Sequence, residues 1–237
     1  MPTISIDGCR CHYTEAGSGP ALLLIHGLGA SQADWFTQVP ALSAQFRCIA
    51  PDLVGHGGSD PNGEYGIFAQ ARRLLRLLDV LGVDQCNVLG HSMGGAVAQS
   101  MALLAPERVR ALVICNSTAG FRPVTPKKML EAVARIGLVG VLGVKPLASL
   151  IAFRLFPHDD QQDLRKTMRD HFAQGSRPVY LRSLMALGRW SIWGRLPRIQ
   201  ARTLIVAAEH DSFPLHWTQR LAPRLPRARL KAFDRTR

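Results

Sequence analysis

A glycine-bounded bend, Gly90-His91-Ser92-Met93-Gly94 followed by Gly95, restricts this chain more than any other stretch. Cys86–Leu89 ahead of it is a short, mostly apolar run and reads as the end of a buried parallel strand. Ala96–Leu104 behind it carries small and apolar residues at helical spacing. A serine between glycines at a strand-to-helix junction has a mechanical meaning: it occupies a sharp, strained turn, where a side chain at either glycine would clash. The turn lifts the Ser92 hydroxyl above the sheet and brings the Met93 N–H near the positive end of the following helix. The blander reading is a glycine-rich turn with an inert serine. It loses weight because the flanking strand and helix are the context the motif requires.

The rest of the first half repeats the same rhythm. Thr3–Ile6 and Cys9–Tyr13 alternate around Asp7-Gly8, a two-residue hairpin turn. Gly17–Pro20 is a loop, and Ala21–Ile25 is a fully apolar strand that runs into His26-Gly27-Leu28-Gly29-Ala30-Ser31. Phe46–Ala50 is the next strand and ends in Pro51-Asp52 through Gly55-His56-Gly57-Gly58-Ser59-Asp60. Ile67–Leu81 is an amphipathic helix stopped by Gly82. Ala111–Cys115 is another buried strand. Near the end, Thr203–Ala208 returns as a strand into Glu209-His210-Asp211, Pro214–Ala222 is helical, and Arg229–Phe233 is the last strand. This alternation predicts an α/β fold with a mostly parallel, doubly wound sheet and ligands outside the carboxyl ends of its strands.

Between Gly120 and Leu196 the rhythm breaks. Lys127–Ile136, Val139–Phe156, Asp160–Phe172 and Val179–Trp190 all look helical. We expect residues 120–196 to form a helical cap inserted into a core made of residues 1–119 and 197–237. The apolar stretch Ile136–Phe156 contains Lys145, Pro146 and Arg154, whereas a membrane span needs ~20 uninterrupted apolar residues. Cap helices over an apolar pocket are the better reading, with an interfacial role as the lesser one. Trp190 and Trp193 are expected to pack.

Charge narrows the partners. The chain of 237 residues has a net charge of +12, carried by residues 120–196 (13 Lys/Arg against 5 Asp/Glu) and 197–237 (9 against 3). The basic residues are scattered, with no run longer than two and no aromatic interleaving, so we expect no nucleic-acid site. Five cysteines, Cys9, Cys11, Cys48, Cys86 and Cys115, are an odd number and favour reduced thiols over a disulfide framework. With no basic and apolar leader at Met1–Asp7, a cytoplasmic setting is expected.

Taken together, His26-Gly27-Leu28-Gly29, the Pro51–Asp60 segment, Gly90–Gly95 and Ala207–Asp211 resemble the α/β-hydrolase superfamily over essentially the whole chain. The core is most similar to small capped esterases, 3-oxoadipate enol-lactonases and meta-cleavage-product hydrolases. Serine at the bend is unlike the dehalogenase and epoxide hydrolase branches, which use Asp there. The resemblance implies that Ser92 attacks a carbonyl carbon and that the Leu28 and Met93 N–H groups form the oxyanion hole. It also implies that Asp211 is the acid of the chain order Ser…Asp…His. It implies no cofactor and no metal. His26 should brace its own loop, Asp52, Asp60 and His56 should hold theirs, and His91 should pack beside the bend.

One part of the pattern is missing. The histidine base should follow the last strand by a short turn, but Asp234-Arg235-Thr236-Arg237 occupies that place. The final helix that covers the sheet in look-alikes is missing too. Only His216 lies beyond Asp211, too close to follow another strand, while His158 and His171 fall in the expected cap. The expectation is therefore a serine hydrolase of a small apolar ester or lactone, impaired without its base. Carbon–carbon bond hydrolysis and a non-catalytic ligand-binding protein stay open, as does the oligomeric state.

Overall fold

The computed structural model describes residues 2–121, 125–208 and 215–233. Strands β1 (Thr3–Ile6) and β2 (Cys9–Ala16) form the expected hairpin, with β2 three residues longer than the alternation suggested. Asp7 and Gly8 at its turn both have positive φ, 54° and 74°, as a two-residue hairpin turn of this hand needs. Strand β3 is Ala21–Ile25, as read from its apolar run, and all five residues are buried. A strand covered on both faces has no polar side to show, which is why its sequence does not alternate.

A 3-10 turn at Gln32–Trp35 and the short helix α1 (Gln38–Leu42) lead to β4 (Arg47–Pro51). Then come α2 (Ile67–Val80), β5 (Cys86–His91), α3 (Met93–Leu104) and β6 (Val109–Cys115). Four helices follow: α4 (Pro126–Leu142), α5 (Val144–Leu155), α6 (Gln162–Ala173) and α7 (Arg177–Arg189). The chain returns through β7 (Arg202–Ala208), α8 (Leu215–Leu221) and β8 (Ala228–Phe233).

Most helix ends fall within two residues of the expected ones, but the breaks around α4, α5 and α6 do not follow the expected pattern. The break expected near Leu138 falls instead at Gly143, which has φ 80° and separates α4 from α5, while Gly137 and Gly140 stay within α4. The Asp160–Phe172 helix is divided: Asp159–Gln161 is a 3-10 turn and the α-helix starts at Gln162.

The strands form one sheet in the order β1-β2-β4-β3-β5-β6-β7-β8. Only the β1–β2 and β2–β4 pairings are antiparallel. The chain runs outward from β3 to β4, then crosses back over β3 to lay down β5. That reversal puts the switch point of the sheet between β3 and β5, with Ile25 opposite Gly90. A crevice opens at the carboxyl ends of the strands where winding reverses, so the segments after Ile25 and His91 are brought to one place.

The main core packs α2 and α3 against the sheet, with Leu23, Ile25, Leu74, Leu77, Met101 and Leu112 among its fully enclosed side chains. Each such side chain contributes roughly 1.5–3 kcal/mol on burial. A second cluster, Val139, Val144, Leu147, Ala148, Phe172 and Tyr180, joins α4, α5, α6 and α7, with Leu28 packed against it. All five cysteines lie in strands as free thiols. Among the described residues no helix is long and apolar enough to cross a membrane.

Candidate active site

Ser92 stands alone between β5 and α3, with φ 51° and ψ −114°. A positive φ is costly for a residue with a Cβ, of order 1–3 kcal/mol, and persists only where surrounding contacts enforce it. Those contacts are visible. The Ser92 N–H donates to the Cys115 carbonyl at 2.9 Å, continuing the β5–β6 ladder one residue past the strand. The Ser92 carbonyl accepts from the Gly95 N–H (3.0 Å) and Ala96 N–H (3.3 Å) of α3 and from the Ser117 hydroxyl (2.7 Å). The serine is thus held from the strand, the helix and the exit of β6.

The glycines around it are there for space. A Cβ on Gly90 would fall inside the Gly94 carbonyl group, and one on Gly94 inside the Ile25 carbonyl of the neighbouring strand. A Cβ on Gly95 would lie 2.6 Å from the Ser117 side chain. Helix α3 therefore starts pressed against β3 and β6, and every residue from Met93 to Ala102 is buried. As the first residue of the helix, Met93 has an N–H with no acceptor within the helix.

The segment after β3 comes up against this bend. The Cβ position of Gly27 lies 3.4 Å from Ser92 Cβ and 3.1 Å from His91 Nδ1, so Leu28 follows immediately beside the serine. His91 packs there, next to the bend. Gly29, with φ 76°, has no room for a side chain because the Phe172 ring of α6 sits against it.

His26 is fully buried and uses both ring nitrogens: Nδ1 donates to the Gly27 carbonyl at 2.8 Å and Nε2 accepts from the Leu53 N–H at 3.0 Å. Burial pulls its pKa down to about 4, so at neutral pH it is uncharged and braces two loops. His56, its ring 5.1 Å from that of His26, has its Nδ1 3.0 Å from the Val54 carbonyl, and burial pulls its pKa to about 3.

Asp52 organises the loop after β4. Its Oδ1 accepts from the Gln32 N–H at 2.7 Å, and its Oδ2 accepts from the Gly58 N–H at 2.9 Å and the His12 Nδ1 at 2.7 Å. Asp60 pairs instead with the backbone and guanidinium of Arg10. The remaining described histidines have other neighbours: His158 caps the turn before α6, and His171 Nδ1 lies 3.4 Å from the Asp34 carboxylate. The Asp34 pKa is raised by burial, an effect that His171 opposes.

Asp211 lies outside the described residues, as do the side chain of His216 and residues 234–237. β7 ends at Ala208, whose N–H donates to Asn116 Oδ1 at 3.2 Å. Asn116 has φ 45° and its own N–H donates to the Val206 carbonyl. Asn116 and Ser117 both escape the sequence reading, which stops at Cys115. The run Asn116-Ser117-Thr118 just past a buried strand is the signal that could have found them, since such residues hydrogen-bond backbone where a ladder ends. Trp190 packs in the core, with its indole N–H on the Ser100 hydroxyl at 3.0 Å. Trp193 packs against the same core, beneath the guanidinium groups of Arg220 and Arg224. Among the described residues no three His, Cys, Asp or Glu side chains converge as a metal site.

A family model described as alpha/beta hydrolase fold matches residues 20–234. The chain is 32% identical over 233 residues to the Stutzerimonas stutzeri (strain A1501) protein named "Putative carbamate hydrolase RutD"; the match covers 92% of this chain and 86% of that protein. A match to a Mycobacterium tuberculosis protein (strain H37Rv), 40% identical over 114 residues, covers 48% of this chain but only 33% of that protein's length. Among solved structures, the enol-lactonase of Burkholderia xenovorans LB400 superposes with a TM-score of 0.88 at 26% identity, over 98% of this chain and 91% of that one. The meta-cleavage product hydrolase of Pseudomonas fluorescens IP01 superposes with a TM-score of 0.80 at 26% identity, over 100% and 90%.

Proposed function

The chain belongs to the α/β-hydrolase-fold family, and on that premise we propose that it is a serine hydrolase acting on a small, fairly apolar carboxylic ester or lactone through an acyl-enzyme. The observation that carries this reading is the strained Ser92 at the switch point of the sheet, φ 51°, with its carbonyl tied to α3 and Ser117. Backbone strain of this kind clusters at functional sites, where it presents a side chain that a relaxed turn would not. In the mechanism, the Ser92 hydroxyl oxygen attacks the carbonyl carbon as its proton passes to a base; the tetrahedral intermediate collapses by breaking the ester C–O bond, the alcohol departs with that proton, and water then hydrolyses the acyl-Ser92. The oxyanion that forms is met by the N–H groups of Leu28 and Met93, each worth about 3–4 kcal/mol in such sites. Asp211 is the acid that would orient a histidine base, and residues 120–196 are the cap that would cover the substrate.

Among the described residues, His91 packs beside the bend, while His12, His26, His56, His158 and His171 are engaged with Asp52, the Gly27 and Leu53 backbone, Val54, the turn before α6 and Asp34. The enol-lactonase and meta-cleavage likenesses support an ester, lactone or carbon–carbon substrate class equally.

The test is covalent. A fluorophosphonate should modify Ser92, located by peptide mass spectrometry, and Ser92→Ala should abolish both the adduct and any hydrolysis of a short-chain p-nitrophenyl ester. Retained hydrolysis in the Ser92→Ala protein would overturn the assignment.

A further inference from the structure

We propose that the solvent-facing side of α4, with Leu150 and Phe153 of the adjoining α5, docks on the surface of an anionic lipid bilayer. The proposal is independent of the chemistry assigned to Ser92.

Helix α4 is apolar on its outer side as well as on the inner side that Val139 buries. At 100° per residue, Ile136, Met129, Val133, Leu130 and Val141 fall within an arc of about 140° that otherwise holds only Pro126, Gly137 and Gly140. Every one of those five large side chains is exposed, Leu130 to 69% and Val141 to 78%. The charged residues of the helix body, Glu131 and Arg135, lie outside the arc, and Arg135 turns inward to the Tyr180 hydroxyl. Proteins rarely leave so large an apolar face to water without a use for it.

Helix α5, packed beside α4, also exposes Leu150 and Phe153. There the apolar surface acquires a basic margin. Lys145 and Arg154 are exposed, and the Arg165 guanidinium of α6 lies 5.3 Å above the Phe153 ring.

Charge decides between occupants. Residues 120–196 carry 13 Lys/Arg against 5 Asp/Glu, so a second copy would bring like charge against like. An anionic bilayer supplies both an apolar layer and negative headgroups, and attraction grows with each Lys or Arg near its surface. Depth is shallow, since among the described residues no helix can cross a membrane. The inner side of α4 reaches Leu28 through the Val139 and Phe172 cluster, so a docked surface would sit one helix away from the loop beside Ser92.

The experiment is co-sedimentation of the full chain with vesicles of phosphatidylglycerol and phosphatidylcholine in equal parts, against vesicles of phosphatidylcholine alone. Leu130→Glu with Val133→Glu places two charges in the exposed arc without touching the core, and Val80→Glu on α2, also exposed, adds a charge elsewhere. The expected result is binding to the anionic vesicles that weakens with salt, falls at least about tenfold in the α4 variant and survives in the α2 variant. Absence of binding, or binding that the α4 variant retains, overturns the proposal. So does equal binding to both vesicle types. Concentration-dependent dimerisation that the α4 substitutions abolish, without vesicle binding, would give the face to a second copy instead.

Discussion

The Ser117 hydroxyl donates a hydrogen bond to the main-chain carbonyl of Ser92 at 2.7 Å, across 25 residues of sequence. It is the only side-chain tie described on a backbone that the Ser92 φ of 51° would otherwise relax. Ser117→Ala removes that donor while keeping the Cβ that packs on Gly95. The expected cost is about 1 kcal/mol, a fall in melting temperature of roughly 2–4 °C for a chain of this size. Fluorophosphonate labelling of Ser92 should slow as well, because the serine is then less firmly held. A variant that melts lower but labels at the wild-type rate would reduce Ser117 to a packing residue.

Two glycine-to-alanine changes should have opposite signs. On Gly94 the new methyl meets the Ile25 carbonyl and lies 2.6 Å from the His26 carbonyl, backbone that cannot swing aside. Gly94→Ala should therefore cost at least about 3 kcal/mol. On Gly137, within α4, the methyl meets no heavy atom within 4 Å. Gly137→Ala should stabilise by up to about 1 kcal/mol by removing freedom from the unfolded chain. Urea denaturation of both variants reads the contrast directly.

Much of this architecture is legible in the residues, and the gaps have a common cause. β3 announces itself because a strand buried on both faces must be apolar throughout, and the elbow announces itself because only glycine fits beside it. The helix break at Gly143 is hidden because Gly137, Gly140 and Gly143 look alike in sequence, and only tertiary packing decides which adopts φ 80°. The bond from the Leu53 N–H to His26, and the one from Ser117 to Ser92, join segments with no local signature of each other. The order of β4, β3 and β5, which creates the crevice, is likewise a long-range choice. The loop after β3 reaches Ser92 at Gly27, whose Cβ position lies 3.4 Å from Ser92 Cβ; Asp211 lies outside the described residues.

The Asp52 and Asp60 side chains of one loop should respond very differently to amide substitution. Asp52 is buried and accepts from three donors, the Gln32 and Gly58 N–H groups and His12 Nδ1. In Asp52→Asn an NH2 group must face at least one of those donors, leaving buried polar groups unpaired at a cost of about 2–4 kcal/mol. The Asp60 pair with Arg10 is half open to solvent, so Asp60→Asn should cost under about 1 kcal/mol. Comparable losses in thermal melts of the two variants would contradict this division of labour.

Acid should destabilise the fold through His26 and His56 before most carboxylates titrate. Burial holds their pKa values at about 4 and about 3, against an ordinary 6.5. Below pH 6.5 the unfolded chain therefore binds protons that the folded chain refuses, so folding stability falls as pH drops and is fully present only above that value. Each group contributes a slope of about 1.4 kcal/mol per pH unit between 6.5 and its folded pKa. In His56→Asn the side-chain amide can stand in for Nδ1 opposite the Val54 carbonyl, while the titrating ring is gone. Urea midpoints measured from pH 7.5 down to pH 4.5 should fall less steeply in that variant than in the wild type, with the two curves diverging below pH 6.5. Parallel curves would show that His56 is already solvated or charged in the folded protein, and the account of two neutral histidines bracing the loops beside Ser92 would fail.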